Sequence, residues 1–86
     1  MQIEKAKMIL EKVRFIAKYN LDMKPFMEAR PEIIFKEKDG DIVFSHITFN
    51  TDDTLMVCDK GIIIYPQKGM SKTLFAYNSF DELLYM

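Results

Sequence analysis

Apolar residues recur along the first twenty positions with helical spacing, on two faces rather than one. At about 100° per residue, Met8, Phe15 and Tyr19 align in a narrow row, here called the helix stripe. A surface helix in a small domain needs only one apolar side, so the second must be covered by the chain's own connector, a second copy or another protein. We expect a helix from Gln2 to Tyr19, followed by Asn20 in left-handed conformation. Its broad, core-facing stripe comprises Ile3, Ala6, Ile9, Leu10, Val13, Ile16 and Ala17.

The segment from Leu21 to Pro31 is a connector, but it is not a polar linker. Four of its residues need burial, and a single helical turn over Pro25 to Ala29 is compatible with proline in a first turn. We expect this segment to be the leading internal cover for the helix stripe. Its apolar residues are Leu21, Met23, Phe26 and Met27.

From Glu32 onward the apolar period changes to two, which is typical of strands. The pair Asp39-Gly40 suits a two-residue type I′ turn, and that turn places Phe35 opposite Phe44, Ile33 opposite His46 and Ile34 opposite Ser45. Short successive hairpins favour an antiparallel meander. The predicted strands are Glu32–Glu37, Asp41–Phe49, Thr54–Cys58, Ile62–Tyr65 and Lys72–Tyr77.

The alternation along these strands is blurred, because apolar residues occupy both faces. Ile33, Ile42 and Phe44 fall on one predicted face with Phe35, whereas Ile34, Val43, Ile47 and Phe49 fall on the other. The second face is then covered by the connector and the last helix, or by a partner.

A Ser-x-x-Glu capping box at the end of the chain predicts a short helix. Ser79 would cap it, and Glu82 would return the contact; we expect the last turn to dock. The fold prediction is therefore one α+β domain over residues 1–86. In it, an N-terminal helix packs on a four- or five-stranded antiparallel β-meander, followed by a short C-terminal helix.

Charge and composition narrow the classes of function. The net charge is −1, with an excess of three positive charges in residues 1–30 and of four negative charges in the rest, so bulk attraction to nucleic acid or anionic lipid is not expected. Neither a transmembrane run nor a signal-peptide pattern is present. One cysteine, Cys58, fits a reducing compartment, and a cytoplasmic location is expected.

No residue pattern predicts catalysis, and we expect no enzymatic activity. His46 is the single histidine, and strand alternation sends the preceding Ser45 to the opposite face, away from a nucleophilic pairing. One Cys and one His do not make a zinc site. The aspartates fall where turns need them, and the isolated glycines form no phosphate loop. Neither a metal nor another cofactor is predicted, and no small-molecule substrate is identified. A carboxylate beside Cys58 is expected to raise its thiol pKa.

The strand, turn, strand and helix from Gly61 to Leu84 resembles the end of bacterial pleckstrin-homology-like domains. Those domains begin with strands, whereas this chain begins with a helix. The resemblance covers about a quarter of the chain and assigns no site residue.

The leading hypothesis is a small non-catalytic interaction module, acting as a homodimer or as an adaptor or inhibitor of a larger protein. A second copy is the expected partner. The proposed contact residues are Met8, Phe15 and Tyr19, edged by Lys12 and Lys5. The alternative is a weak nucleic-acid-binding accessory protein that uses the basic face of the first helix, formed by Lys7, Arg14 and Lys18.

Overall fold

A computed structural model describes residues 2–86 and shows the predicted α+β architecture with five strands. The sheet is antiparallel throughout, and its strands lie side by side in chain order, which confirms the meander. A 3₁₀ helix, Lys24–Glu28, precedes the sheet. The helices are α1 (Ile3–Ala17) and α2 (Phe80–Leu84); the strands are β1 (Pro31–Lys38), β2 (Asp41–Asn50), β3 (Thr54–Cys58), β4 (Gly61–Tyr65) and β5 (Lys72–Ala76).

The β1–β2 hairpin closes through the predicted two-residue turn. Asp39 has φ 52° and Gly40 has φ 84°, and positive φ at both central residues defines the type I′ geometry that matches the twist of the strands. The predicted Asp39-Gly40 turn is therefore confirmed.

A β-bulge in β2 corrects the predicted register. Phe35 pairs with Phe44 as expected, but Ile34 pairs with His46 and Ile33 with Ile47, so Ser45 has no partner on β1. The pairings of Ile33 with His46 and of Ile34 with Ser45 were therefore wrong. A turn fixes register only until an extra residue is inserted into one strand.

The bulge also changes which residues share a face. Phe44, Ile47 and Phe49 are all buried in one core cluster, although strict alternation separates Phe44 from the other two. Ile33 and Phe35 on β1 pack against the same cluster. The blurred pattern of the sequence thus resolves into one continuous core face.

Helix α1 covers that face with its broad stripe, as predicted. Ala6, Ile9, Val13 and Ala17 are at most 1% exposed and belong to the same cluster as β3 and β4 residues such as Val57. The helix is shorter than predicted at both ends, and Ile3, placed on the core stripe by its spacing, is exposed.

The connector completes the core rather than crossing the outside of α1. Met23 and Phe26 are buried in the main cluster. Asn20 is not left-handed, because Asp39 is the single non-glycine residue of positive φ in residues 2–86. Instead, the Asn20 Oδ1 accepts hydrogen bonds from the backbone N–H groups of Asp22 and Met23, at 2.9 and 3.2 Å. This Asx-type turn directs the chain back under the helix.

Helix α2 begins with the predicted Ser79 cap, but Glu82 bonds to the residue before the cap rather than to Ser79 itself. The Ser79 Oγ accepts from the Glu82 N–H at 3.3 Å, and the Glu82 carboxylate accepts from the Asn78 N–H at 3.1 Å. Phe80 and Leu83 are buried. The expected docking is thus correct for Leu83 but wrong for Tyr85, which is 89% exposed.

The connector and α2 do not wrap the second face of the sheet, which corrects the first of the two alternatives above. Their buried residues join the α1 side of the sheet. The opposite face carries a row in which Thr48 pairs with Met56 and Met56 with Ile63. Met56 and Ile63 are only partly buried and lie outside the core cluster.

Replacing Ser79 with Ala should lower the free energy of unfolding by about 1 kcal/mol, because the Glu82 N–H loses its capping acceptor. Urea unfolding followed by circular dichroism measures the change. The matched control is Ser71→Ala, at an exposed serine outside any helix, which should change stability by less than about 0.5 kcal/mol. Equal effects at the two serines would show that the cap contributes nothing.

Candidate protein-interaction surface

The helix stripe lies on the outside of α1 and the turn that follows it. Met8 and Phe15 are each 53% exposed and Tyr19 is 79% exposed. Large aromatic and thioether side chains in such positions lose the favourable free energy that burial would give them. Three of them along one helical row form a patch rather than scattered exposed residues.

The connector does not cover this row, so the internal cover expected from the sequence is wrong. Met23 and Phe26 enter the core, and Met27 packs at its edge. Leu21, the remaining candidate, is itself 81% exposed. Sequence reasoning identified the apolar connector correctly but could not tell which side of α1 it would pack against.

Phe15 is the centre of the local contacts on this surface. Its ring meets the Tyr19 ring edge-on, with 5.5 Å between centroids and 65° between planes. The ammonium groups of Lys12 and Lys18 lie 5.8 and 6.0 Å from its centroid, within range of a cation–π attraction. Contacts within this chain therefore restrict the orientation of the Phe15 ring.

Helix α2 and the chain end extend the surface beyond the residues that sequence reasoning proposed. A groove of about 490 Å³ runs between α1 and α2 beside Met8, with Leu84 and Tyr85 on its other side. Leu84 and Tyr85 were missed because they are distant in sequence. The available signal was that both side chains are largely apolar, which led to the expectation that the last helical turn docks on the core.

The two predicted edge lysines bind the chain's own C-terminal end. The Lys5 ammonium lies 3.6 Å from the Asp81 carboxylate, and the Lys12 ammonium donates to the backbone carbonyl of Met86. Both contacts are at the surface, where an ion pair contributes little to stability. Lys5 and Lys12 therefore lie between the helix stripe and α2 and form one border of the surface.

The other border of the stripe is acidic. Glu4 and Glu11 follow the opposite side of the row at helical spacing. Within residues 2–86, neither carboxylate forms a salt bridge. The helix stripe is thus apolar along its centre, with Lys5 and Lys12, which contact α2 and the chain end, on one border and Glu4 and Glu11 on the other. Glu11 also lines the groove beside Met8 together with Lys12.

Ser45 and His46 form a contact that sequence reasoning excluded. The Ser45 Oγ lies 2.9 Å from the His46 Nδ1. The exclusion assumed strict alternation along β2, and the bulge at Ser45 breaks that alternation. In the part of the chain that the structure describes, no three His, Cys, Asp or Glu side chains group as a metal site would require.

Cys58 and Tyr77 both hold their protons more tightly than usual. Burial, and then the charge of Asp59, raises the pKa of the Cys58 thiol; the direction agrees with the prediction, although burial is the larger cause. The Tyr77 hydroxyl donates to the Cys58 backbone carbonyl at 2.6 Å. Burial raises the pKa of Tyr77 most, followed by the charges of Cys58 and Asp59.

No protein-family model matches the chain, and neither curated proteins nor solved structures give a significant match. Among residues 2–86, no helix has the length and apolar content that crossing a membrane requires.

The free energy of unfolding should fall as the pH rises above about 9. In the unfolded chain, Cys58 and Tyr77 titrate near their ordinary pKa values of 9.0 and 10.0, whereas the folded chain keeps both protons to higher pH. The unfolded state therefore binds fewer protons there, and stability that is present at lower pH is lost. Urea unfolding between pH 8 and 11 tests this dependence.

Two tyrosine variants isolate the contribution of Tyr77 to the slope of the free energy of unfolding against pH. Tyr77→Phe should flatten the decline above pH 10, while it lowers stability overall by about 1 kcal/mol through the lost hydrogen bond. Tyr85→Phe, at an exposed ring, should leave the slope unchanged. An unchanged slope in Tyr77→Phe would contradict the shifted titration.

Proposed function

We propose that this protein is a non-catalytic interaction module that associates with a second copy of itself through the helix stripe. The observation that carries the proposal is the exposure of Met8, Phe15 and Tyr19 in a row that the connector leaves uncovered. Phe15 and Tyr19 are the kind of rigid, amphipathic side chains that contribute most at interface centres.

The charge pattern favours a second copy as the occupant. Suppose two copies meet across a two-fold axis parallel to α1, with the helices side by side in the same direction. The lysine border, with Lys12, then lies against the glutamate border of the other copy, with Glu11. An antiparallel pairing instead sets lysines against lysines. Complementary borders of this kind select one orientation and suppress the other, and a closed two-fold dimer is the commonest arrangement of a homo-oligomer.

The contact surface extends beyond the helix stripe. At a rise of about 1.5 Å per residue, a helix of this length spans roughly 22 Å. The groove beside Met8 and the exposed Tyr85 widen that strip on the lysine side. A stable interface needs about 800 Å² from each partner, so both the stripe and the α2 border would have to contribute.

Phe15→Asp should convert the associated protein to a monomer without unfolding it. The substitution removes the central aromatic ring and places a carboxylate, which is costly to desolvate, inside the contact, and Phe15 lies outside the buried core. Sedimentation equilibrium across a concentration series gives the mass, and circular dichroism checks the fold. The matched control is Met70→Asp, at an exposed apolar residue away from α1, which should keep the wild-type mass.

A charge exchange then tests the identity and orientation of the partner. Glu11→Lys and Lys12→Glu should each weaken self-association, because one border then repels the other copy. A mixture of the two variants should associate again as a heterodimer. A wild-type protein that stays monomeric at millimolar concentration overturns self-association, and a mixture that does not recover overturns the parallel arrangement.

A second candidate function is weak nucleic-acid binding, which a basic groove at the end of α1 supports. Arg14 and Lys18 line this groove of about 360 Å³ together with Lys24 of the 3₁₀ helix. No acidic residue lines it, and positive charges without carboxylate partners attract a phosphate backbone. Lys7, also part of the predicted basic face, is exposed on α1.

Under this alternative, a fluorescent single-stranded oligonucleotide should bind at low salt and dissociate as salt is raised. The double variant Arg14→Gln/Lys18→Gln should bind more weakly. Arg30→Gln/Lys68→Gln, which removes two charges at exposed residues outside this groove, should bind as the wild type does. Absence of binding at about 20 mM salt, or equal losses in both variants, would exclude a specific basic face.

A further inference from the structure

A groove opens where β2 extends past the end of β3. Strand β2 pairs with β3 only from Ile47 to Asn50, so the part of β2 around the bulge has no β3 neighbour. The groove there has a volume of about 360 Å³, which falls within the size range of small-molecule sites. It is lined by Gln2, Lys36, Lys38, Val43, Phe44, Ser45, His46, Cys58, Asp59 and Phe80.

The bulge turns Ser45 and His46 into a coupled pair on this groove. The Ser45 Oγ lies 2.9 Å from the His46 Nδ1, so the two side chains pair where they line the groove. Bulges are common beside binding sites because they aim a side chain in this way.

Further donors come from Gln2 and from the two lysines of β1. The Gln2 Oε1 accepts a hydrogen bond from the Phe44 backbone N–H at 3.1 Å, which orients the amide and leaves its NH₂ group to donate. Lys36 and Lys38 are exposed, and neither forms a salt bridge in residues 2–86. The groove therefore gathers several donors and two positive charges.

Asp59 is the single carboxylate among the lining residues. It lies just after β3, whereas both lysines lie on β1, so the groove is bounded by positive charge from one strand and by an acceptor from another. A ligand that matches this pattern has an anionic end for the lysines and a hydroxyl for the carboxylate. Inorganic phosphate would gain only from the lysines, whereas a ligand with a separate hydroxyl group also offers a donor to the Asp59 carboxylate.

We propose that this groove binds a small phosphate monoester that carries a hydroxyl group. Lys36, Lys38 and the His46 imidazole contact the phosphate oxygens, and Asp59 accepts from the hydroxyl. Charge-assisted hydrogen bonds to phosphate supply most of the affinity, and the Asp59 contact supplies the selectivity for a hydroxylated ester. The site is separate from the helix stripe and does not depend on self-association.

The test is a titration of the 86-residue chain with glycerol 3-phosphate, monitored through the amide NMR shifts of β1 and β2. We expect saturable shifts at the groove residues, weaker binding of inorganic phosphate and no binding of glycerol. Lys36→Gln/Lys38→Gln and His46→Ala should each weaken glycerol 3-phosphate binding at least tenfold. The matched control Arg30→Gln/Lys68→Gln removes two charges at exposed residues outside the groove and should bind as the wild type does.

Three outcomes would overturn the assignment. Chemical-shift changes that do not saturate and spread over the whole surface would show only a general attraction of the phosphate to the protein's positive charges. Equal losses of affinity in the groove variant and its charge control would show the same. Equal affinity for inorganic phosphate and glycerol 3-phosphate would remove the role of Asp59. Because Lys36 and Lys38 are exposed, their variant keeps the test decisive even if His46→Ala fails to fold.

Discussion

The core of this domain depends on one unpaired residue in β2. Phe44 and Ile47 are separated by three positions, so a regular strand would send them to opposite faces of the sheet. The bulge at Ser45 brings both onto the α1 side, where β3 and β4 continue the same face. One inserted residue thereby allows apolar residues that would alternate between the two faces to build a single core. It also brings the Ser45 hydroxyl into contact with the His46 ring.

Closure of that core explains why the outside of α1 is bare. Met23 and Phe26 fill the space beneath the end of the helix, and Phe80 and Leu83 close the other side. A chain of this size has little apolar surface to spare beyond one core. Once the connector is used inside, no other apolar segment of residues 2–86 covers Phe15. The proposed interface is thus a consequence of how the connector packs.

Local signals predicted the elements that depend only on nearby residues. Positive φ at Asp39 and Gly40, the bounds of β3 and the Ser79 cap all follow from interactions within a few positions. The register beyond Ser45, the turn at Asn20 and the exposure of Tyr85 do not. Each of them is set by what the rest of the chain offers for burial or hydrogen bonding, and a local pattern contains no such information.

The sequence by itself determined the order of elements, the buried side of α1 and the existence of a second apolar row on it, because helical and strand periods are properties of the backbone. Only the tertiary structure decided that the connector turns inward and leaves that row exposed, and that Ser45 reaches His46. Both outcomes depend on contacts between segments far apart in the chain. Side-chain volume decides how the connector packs, and an inserted residue decides the contact of Ser45, so periodicity alone predicts neither.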